Sequence, residues 1–302
     1  MDKNMLFVYN PRAGKAQIRS NLLDIIDIFV KAGYEVTAYP TQAAGDAIKA
    51  VRDRRKGYDI VVCSGGDGTL DEVVNGMMQC EEKLPIGYVP AGSTNDFANS
   101  LGIPRGMKKA ADVVVNGENF PCDIGSFNNN SFVYIAAFGI FTNVSYETNQ
   151  DVKNILGHTA YLIEGVKSLS SIKSYHLKVT YDDVCLEEDF LYGMITNSNS
   201  VGGFKGITGK NVELNDGLFE VMLVRKPTNP IELNNIVAAL VDKNIHSEAI
   251  HCFKTSHITI ESDMPVAWTL DGEFGGEHQK AIVENRHQAL EIRIPKPEIK
   301  TK

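Results

Sequence analysis

The chain has 302 residues, 43% of them hydrophobic, and a formal net charge of −8 at pH 7. At roughly 100–200 residues per domain, that length predicts two domains with ample core. The acidic balance excludes a general nucleic-acid binder, whose footprint is basic, while a local basic patch can still carry such a protein to an anionic membrane. The five cysteines, Cys63, Cys80, Cys122, Cys185 and Cys252, are odd in number and form no C-x-x-C, which predicts reduced, mostly buried thiols. The start runs straight into a short strand with no signal-peptide pattern, and the apolar-rich segment 131–146 is shorter than the ~18 residues a span needs and carries Ser, Asn, Thr and Gly. The expectation is a soluble, cytoplasmic protein.

In chain order, Leu6 to Tyr9 predicts a strand that ends in the polar turn Asn10-Pro11-Arg12-Ala13-Gly14-Lys15. That turn lacks the Walker spacing, so turn chemistry and ligand binding are both open on position alone. Ile18, Leu22, Ile25, Ile26 and Phe29 mark one helix face, Tyr34 to Tyr39 the next strand with Thr41 just beyond it, and Ala44, Ala47, Ile48 and Val51 a second helix. Asp59 to Cys63 is a β-branched apolar run, and Leu70, Val73, Val74, Met77 and Met78 recur at helical spacing. Between them lies Gly65-Gly66-Asp67-Gly68-Thr69. A glycine turn between a strand end and a helix start lets backbone approach a phosphate. Asp67 would repel that phosphate unless a cation lies between them, which implies Mg²⁺ with a nucleotide. Thr69 and Glu72 also fit a capping box, which needs no ligand.

Pro85 to Val89 predicts another buried strand, running into Pro90-Ala91-Gly92-Ser93-Thr94-Asn95-Asp96, where Ser93 or Thr94 could cap a short helix. Four strand–helix alternations predict a parallel, doubly wound sheet with all four polar turns on one edge. Met107, Ala110, Ala111, Val114 and Val115 form one more helix face, with Arg105, Lys108 and Lys109 at its start. From about Cys122-Asp123-Ile124-Gly125 the texture becomes strands and turns, with helical pieces at 160–169 and 231–241. Leu177, Val179 and Tyr181 alternate with polar residues, as do Leu290, Ile292 and Ile294, which predicts an antiparallel β domain and a cleft between two domains.

The segments Gly65-Gly66-Asp67-Gly68-Thr69 with Glu72 to Gly76, and Gly92-Ser93-Thr94-Asn95-Asp96-Phe97-Ala98, resemble the diacylglycerol kinase catalytic superfamily, in particular its bacterial soluble lipid kinases. The likeness extends to Asn10-Pro11, Gly14, Thr41, Asp123, Asn215-Asp216-Gly217 and Asp271-Gly272-Glu273, in order over essentially the whole chain. It implies an N-terminal α/β nucleotide domain like that of NAD kinases and phosphofructokinases, over 1–127, and a C-terminal β-sandwich over 128–302 whose last residues could return to the first domain. By that resemblance Asn10, Pro11, Arg12, Ala13, Gly14, Thr41, Gly65, Gly66, Asp67, Gly68, Thr69, Ser93, Thr94 and Asn95 would hold ATP. Asp67, Asp96 and Asp123 would form a carboxylate–water–Mg²⁺ network. Asp271 or Glu273 would take the proton from the lipid hydroxyl, and either could instead serve a hairpin turn. The resemblance also implies a structural metal on the Asp216 carboxylate and the carbonyls of Glu213 and Leu218. Position 71 is Asp where the family motif usually has Asn.

The expected function is an ATP- and Mg²⁺-dependent kinase of a lipid hydroxyl, diacylglycerol first, giving phosphatidic acid. Such an enzyme visits a membrane surface transiently, binds no nucleic acid, and by resemblance could be a homodimer. The alternatives are a kinase for a soluble hydroxyl such as that of NAD, and a non-catalytic nucleotide- or lipid-binding protein.

Overall fold

The computed structural model describes residues 3–14, 16–140, 173–201, 204–205, 212–241 and 248–297. Its contacts divide the chain into two units, residues 1–124 with 288–302, and residues 125–287. The expected helical piece at 160–169 lies outside the described residues.

The first unit runs β1 (Lys3–Tyr9), α1 (Ile18–Lys31), β2 (Tyr34–Pro40), α2 (Asp46–Arg54), β3 (Ile60–Gly65), α3 (Asp67–Met78), β4 (Ile86–Pro90), α4 (Asp96–Ser100) and α5 (Met107–Asn116). The strands lie in the order β4-β3-β1-β2 and every pair is parallel. Residues of β3 and β4 are buried throughout, as an interior parallel strand requires, whereas β2 at the edge is only half covered. The chain turns from building toward β2 to building toward β4 between β1 and β3. In doubly wound sheets that switch point is where the strand ends leave a crevice. Residues 288–294 return to this unit as the end of β15 (Glu273–Ile294), where Ile292 stands beside Ile86 of β4. There Arg293 donates to the carbonyls of Val114 and Val115 at the end of α5, satisfying orphan acceptors and meeting the negative end of the dipole.

β5 (Glu118–Phe127) carries the chain into the second unit. There follow β6 (Asn130–Phe132), β7 (Ile135–Gly139), β8 (Tyr175–Tyr181), β9 (Val184–Thr196), the short pair β10 (Ser200–Val201) and β11 (Phe204–Lys205), then β12 (Phe219–Arg225), α6 (Pro230–Val241), β13 (Ile250–Thr255) and β14 (His257–Leu270). Pairing is antiparallel throughout this unit, in the order β13-β12-β9-β7-β14-β15. The long strands change partner along their length: β9 pairs β8 through its first half and β7 with β12 through its second. Trp268 anchors the core, with the rings of Phe127 and Phe138 at 4.8 and 4.9 Å between centroids. Phe132, Phe190, Phe219, Leu177 and Val179 fill the rest, so the alternation read in β8 buries Leu177 and Val179. Large buried aromatics dominate the stabilisation of such a layer.

Candidate functional site

The four polar turns fall on one edge of the parallel sheet. Strand register fixes this, since Tyr9 pairs with both Pro40 and Ser64, and Gly65 pairs with Pro90. Backbone bonds extend the ladder into the turns: Thr41 N–H donates to Tyr9 O at 2.9 Å, Asn10 N–H to Ser64 O at 2.8 Å, and Ala91 N–H to Gly65 O at 2.7 Å. The turn after β1 is closed by the Asn10 side chain, whose Oδ1 accepts the Arg12 amide at 2.9 Å. Asn10 Nδ2 also reaches Thr69 Oγ1 at 3.5 Å, the outer limit of a hydrogen bond.

Three of these turns touch backbone to backbone. A methyl on Gly92 would lie 2.6 Å from the Gly66 Cα, and one on Gly14, at φ +53°, would overlap the Ala91 carbonyl oxygen. Glycine is therefore demanded by close approach as well as by conformation. Gly92→Ala is expected to destabilise the first unit by about 1–3 kcal/mol, the ordinary cost of overpacking, and to weaken ATP binding. Gly106→Ala, whose added methyl would meet only the Lys109 side chain at 4.0 Å, serves as the control and should stay within about 0.5 kcal/mol. Denaturant unfolding and ATP titration check both.

Within the second turn, the Asn95 side chain is spent on shape. Its Oδ1 accepts the Gly92 amide at 2.9 Å, its Nδ2 donates to Gly92 O at 2.8 Å, and its own backbone is left-handed at φ +52°. Asn95, rather than Ser93 or Thr94, is the N-cap of α4, and it makes no side-chain cap bond. Ser93 is exposed and Thr94 half-buried. Tyr88 on β4 ties the turns together, its hydroxyl lying 3.2 Å from Gly65 O and 3.3 Å from Asn95 Oδ1. Burial, then the negative charges of Asp67 and Asp96, push the Tyr88 phenol well above its ordinary range, so it stays a donor.

Asp67 opens α3, and its carboxylate reaches the start of α4, accepting the amides of Asp96 at 3.2 Å and Phe97 at 3.4 Å. This brings Asp67 and Asp96 together. Asp96 is 2% exposed. Asp123 is fully buried on β5, where its Oδ1 accepts the Gln288 amide at 2.7 Å. Among the described residues, no group of three or more His, Cys, Asp or Glu side chains converges to form a metal cage. The donors present are hard carboxylate oxygens, which fit Mg²⁺, an ion that keeps several waters and takes one or two carboxylates plus phosphates. Cys63 and Cys122 lie nearby, but burial pushes both thiols up, helped by Glu72 and Asp67 for the first and by Asp123 for the second. Buried protonated thiols are inert as nucleophiles.

The capping box expected of Thr69 and Glu72 does not form. Helix α3 already begins at Asp67, with Gly66 as a cap that makes no side-chain bond. Glu72 instead reaches across to α2, accepting the amides of Gly45 at 2.7 Å and Ala47 at 3.0 Å. It thus caps a neighbouring helix and fixes the segment that follows Thr41. The same segment is held by Asp46, whose Oδ2 accepts the Gln42 amide at 2.8 Å. Glu72→Ala is expected to raise the KM for ATP about tenfold with kcat changed less, because half-buried amides lose their acceptors and the Thr41 turn loosens. Steady-state kinetics against ATP check it. Asp71, the departure from the family motif, is engaged along its own helix by Asn75 Nδ2 at 2.8 Å.

The second unit carries the Asp-Gly-Glu segment. Asp271 at φ +50° and Gly272 at φ +89° form the two-residue loop between β14 and β15, so the hairpin reading of Asp-Gly holds. Asp271 is 5% exposed, and its carboxylate accepts the amides of Val133, Tyr134 and Ile135, the last two at 2.9 Å. Glu273 starts β15 and is exposed. In the turn before β12, Asp216 Oδ1 accepts the Leu218 amide at 3.0 Å and Oδ2 faces Lys254 Nζ at 3.1 Å; Glu213 is exposed. Sequence reasoning missed the roles of Tyr88 and Gly92. The signal available for Tyr88 was a polar-tipped aromatic in a strand otherwise bound for burial.

Comparison with known proteins matches residues 4–127 to the diacylglycerol kinase catalytic domain and residues 135–293 to the YegS C-terminal NAD kinase beta sandwich-like domain. A diacylglycerol kinase of Bacillus subtilis (strain 168) is 33% identical over 97% of this chain and 97% of its own length. One of Staphylococcus aureus (strain MRSA252) is 37% identical over 92% of this chain and 88% of its own. In fold, the chain resembles the crystal structure of a diacylglycerol kinase from Bacillus anthracis str. Sterne, with a TM-score of 0.76 at 23% identity over 97% of each chain. A further solved chain from that organism reaches a TM-score of 0.81 at 24% identity, over 97% of this chain and 95% of its own.

Proposed function

This chain belongs to the diacylglycerol kinase family, and on that premise we propose that it transfers the γ-phosphoryl group of ATP to a lipid hydroxyl, diacylglycerol first among acceptors. The observation that carries this reading is the backbone contact of the Gly14, Gly66 and Gly92 turns, at the switch point of the sheet and beside the Asp67–Asp96 pair. Such an edge offers close-packed amides and a helix start to phosphates and an acid to their counter-ion.

The residues from Asn10 to Gly14, Thr41, Gly65 to Thr69 and the Ser93–Thr94 turn hold the nucleotide in this reading, and Asn95 and Tyr88 keep the turns in shape. Mg²⁺ would be held through Asp67 and Asp96, with Asp123 as the third carboxylate that the resemblance adds, and would supply charge neutralisation between the carboxylates and the phosphates. A bond forms between the acceptor oxygen and the γ-phosphorus as the bond to the β-bridging oxygen breaks, ADP leaves, and the acceptor's proton passes to a carboxylate. We assign that proton to Glu273. Asp271 already spends its carboxylate on backbone amides and acts as the residue that positions the segment. No described helix is long and apolar enough to cross a membrane, so a membrane-borne acceptor would be met by transient binding at the surface.

Labelled ATP offered with dispersed diacylglycerol and, separately, with NAD tests the reading. Label in the lipid product is the expected result. Label in the NAD product with none in lipid would move the chain to a soluble acceptor.

A further inference from the structure

The second unit holds one ion cluster whose geometry decides a question that the resemblance raises. Glu220 interrupts β12, a strand whose residues Phe219 to Val224 are all buried, and it is itself only 6% exposed. A carboxylate this deep needs a partner. Its partner stands directly opposite on β13: Glu220 and Lys254 are register neighbours, and Lys254 Nζ lies 3.0 Å from Glu220 Oε1. The same ammonium lies 3.1 Å from Asp216 Oδ2, while Asp216 Oδ1 accepts the Leu218 amide at 3.0 Å. Both oxygens of Asp216 therefore face N–H donors, one of them charged.

The resemblance implies a divalent cation held by this Asp216 with the carbonyls of Glu213 and Leu218. The residues present do not fit it. A divalent cation would bind a carboxylate oxygen at about 2.0–2.6 Å, and here that oxygen already receives an ammonium. Two cations would then crowd one carboxylate, while Glu220 would lose the lysine that its burial requires.

We propose that the Lys254 ammonium takes the place of a divalent cation in this domain. A built-in cation bridges Asp216 and Glu220, so the turn 213–218 and the start of β12 are set without metal. The side chain is a compact point charge on a flexible stem, the kind that can bridge two carboxylates at different depths. Cross-strand placement supplies the rigidity, since opposite charges facing one another across an antiparallel pair hold the register that places them.

The test is the melting temperature with EDTA, with Mg²⁺ and with Ca²⁺, all without nucleotide. It is run on the native chain, on Lys254→Met and Lys254→Arg, and on Asp216→Asn versions of the native and Lys254→Met chains. The quantity read is the part of the metal-induced shift that Asp216→Asn abolishes, which removes any contribution from the carboxylates of the first unit. The native chain and Lys254→Arg are expected to show none. Lys254→Met is expected to melt lower in EDTA and to recover about 5 °C or more with metal. An Asp216-dependent shift in the native chain would overturn the proposal, and so would its absence in a folded Lys254→Met chain. The native comparison decides alone if Lys254→Met does not fold.

Discussion

Asp67→Asn is expected to lower kcat on the order of 10³-fold while leaving the melting temperature nearly unchanged. The separation follows from what Asp67 does in the structure. Its carboxylate accepts two long amide bonds from the start of α4, at 3.2 and 3.4 Å. Asparagine has the same shape and keeps one acceptor oxygen, so the contact between α3 and α4 survives in part. What is lost is the negative charge among Gly65, Gly66 and Gly68, and with it the attraction for a cation on the phosphates. ATP affinity measured without Mg²⁺ should change little or even rise, because the repulsion between Asp67 and the phosphates also goes. Activity within tenfold of the native enzyme would mean that the cation is held elsewhere.

Glu273→Gln is expected to lower kcat about 10²–10⁴-fold with no change in melting, as removal of a general base from an exposed position should. Asp271→Asn should behave differently. Its carboxylate accepts three backbone amides from residues 133–135, and an asparagine amide offers one acceptor oxygen and brings an NH₂ group toward an N–H. At least one buried amide would go unmatched, at a cost of about 1–3 kcal/mol. The two variants therefore exchange signatures: a large kinetic loss with a normal melt for Glu273→Gln, and a lowered melt with a smaller kinetic loss for Asp271→Asn. A normal melt with the larger kinetic loss in Asp271→Asn would reverse the assignment of the base.

The fold was legible wherever the signal was local. Periodicities of 3.6 and 2 placed α1, α3, α5 and β8, and continuous apolar runs placed β3 and β4, within a few residues of their positions, because in each one face or both faces are buried. The polar turns were legible because parallel strands must end in loops on one edge, and glycine marks those whose backbones touch. What escaped was action at a distance along the chain. Glu72 reads as a partner for Thr69 three residues away, yet its carboxylate serves amides at 45 and 47 on another helix. Asn95 reads as a ligand contact within a motif, yet its side chain builds the turn itself. Lys254 carries no local signal at all, and only the pairing of β12 with β13 brings it opposite Glu220. Glu220 stands in the sequence as the one charge in an apolar run, but spacing does not say what faces it.

The central claim, phosphotransfer from ATP to a lipid hydroxyl at the Asp67 turn, is tested most directly with γ-labelled ATP and a total lipid extract in detergent micelles. The assay is run with Mg²⁺ and with chelator, with Asp67→Asn alongside. A single labelled lipid that requires Mg²⁺ and is absent with the variant is the result predicted here. No labelled lipid from a chain that still binds ATP would contradict it and leave a soluble acceptor or a binding role.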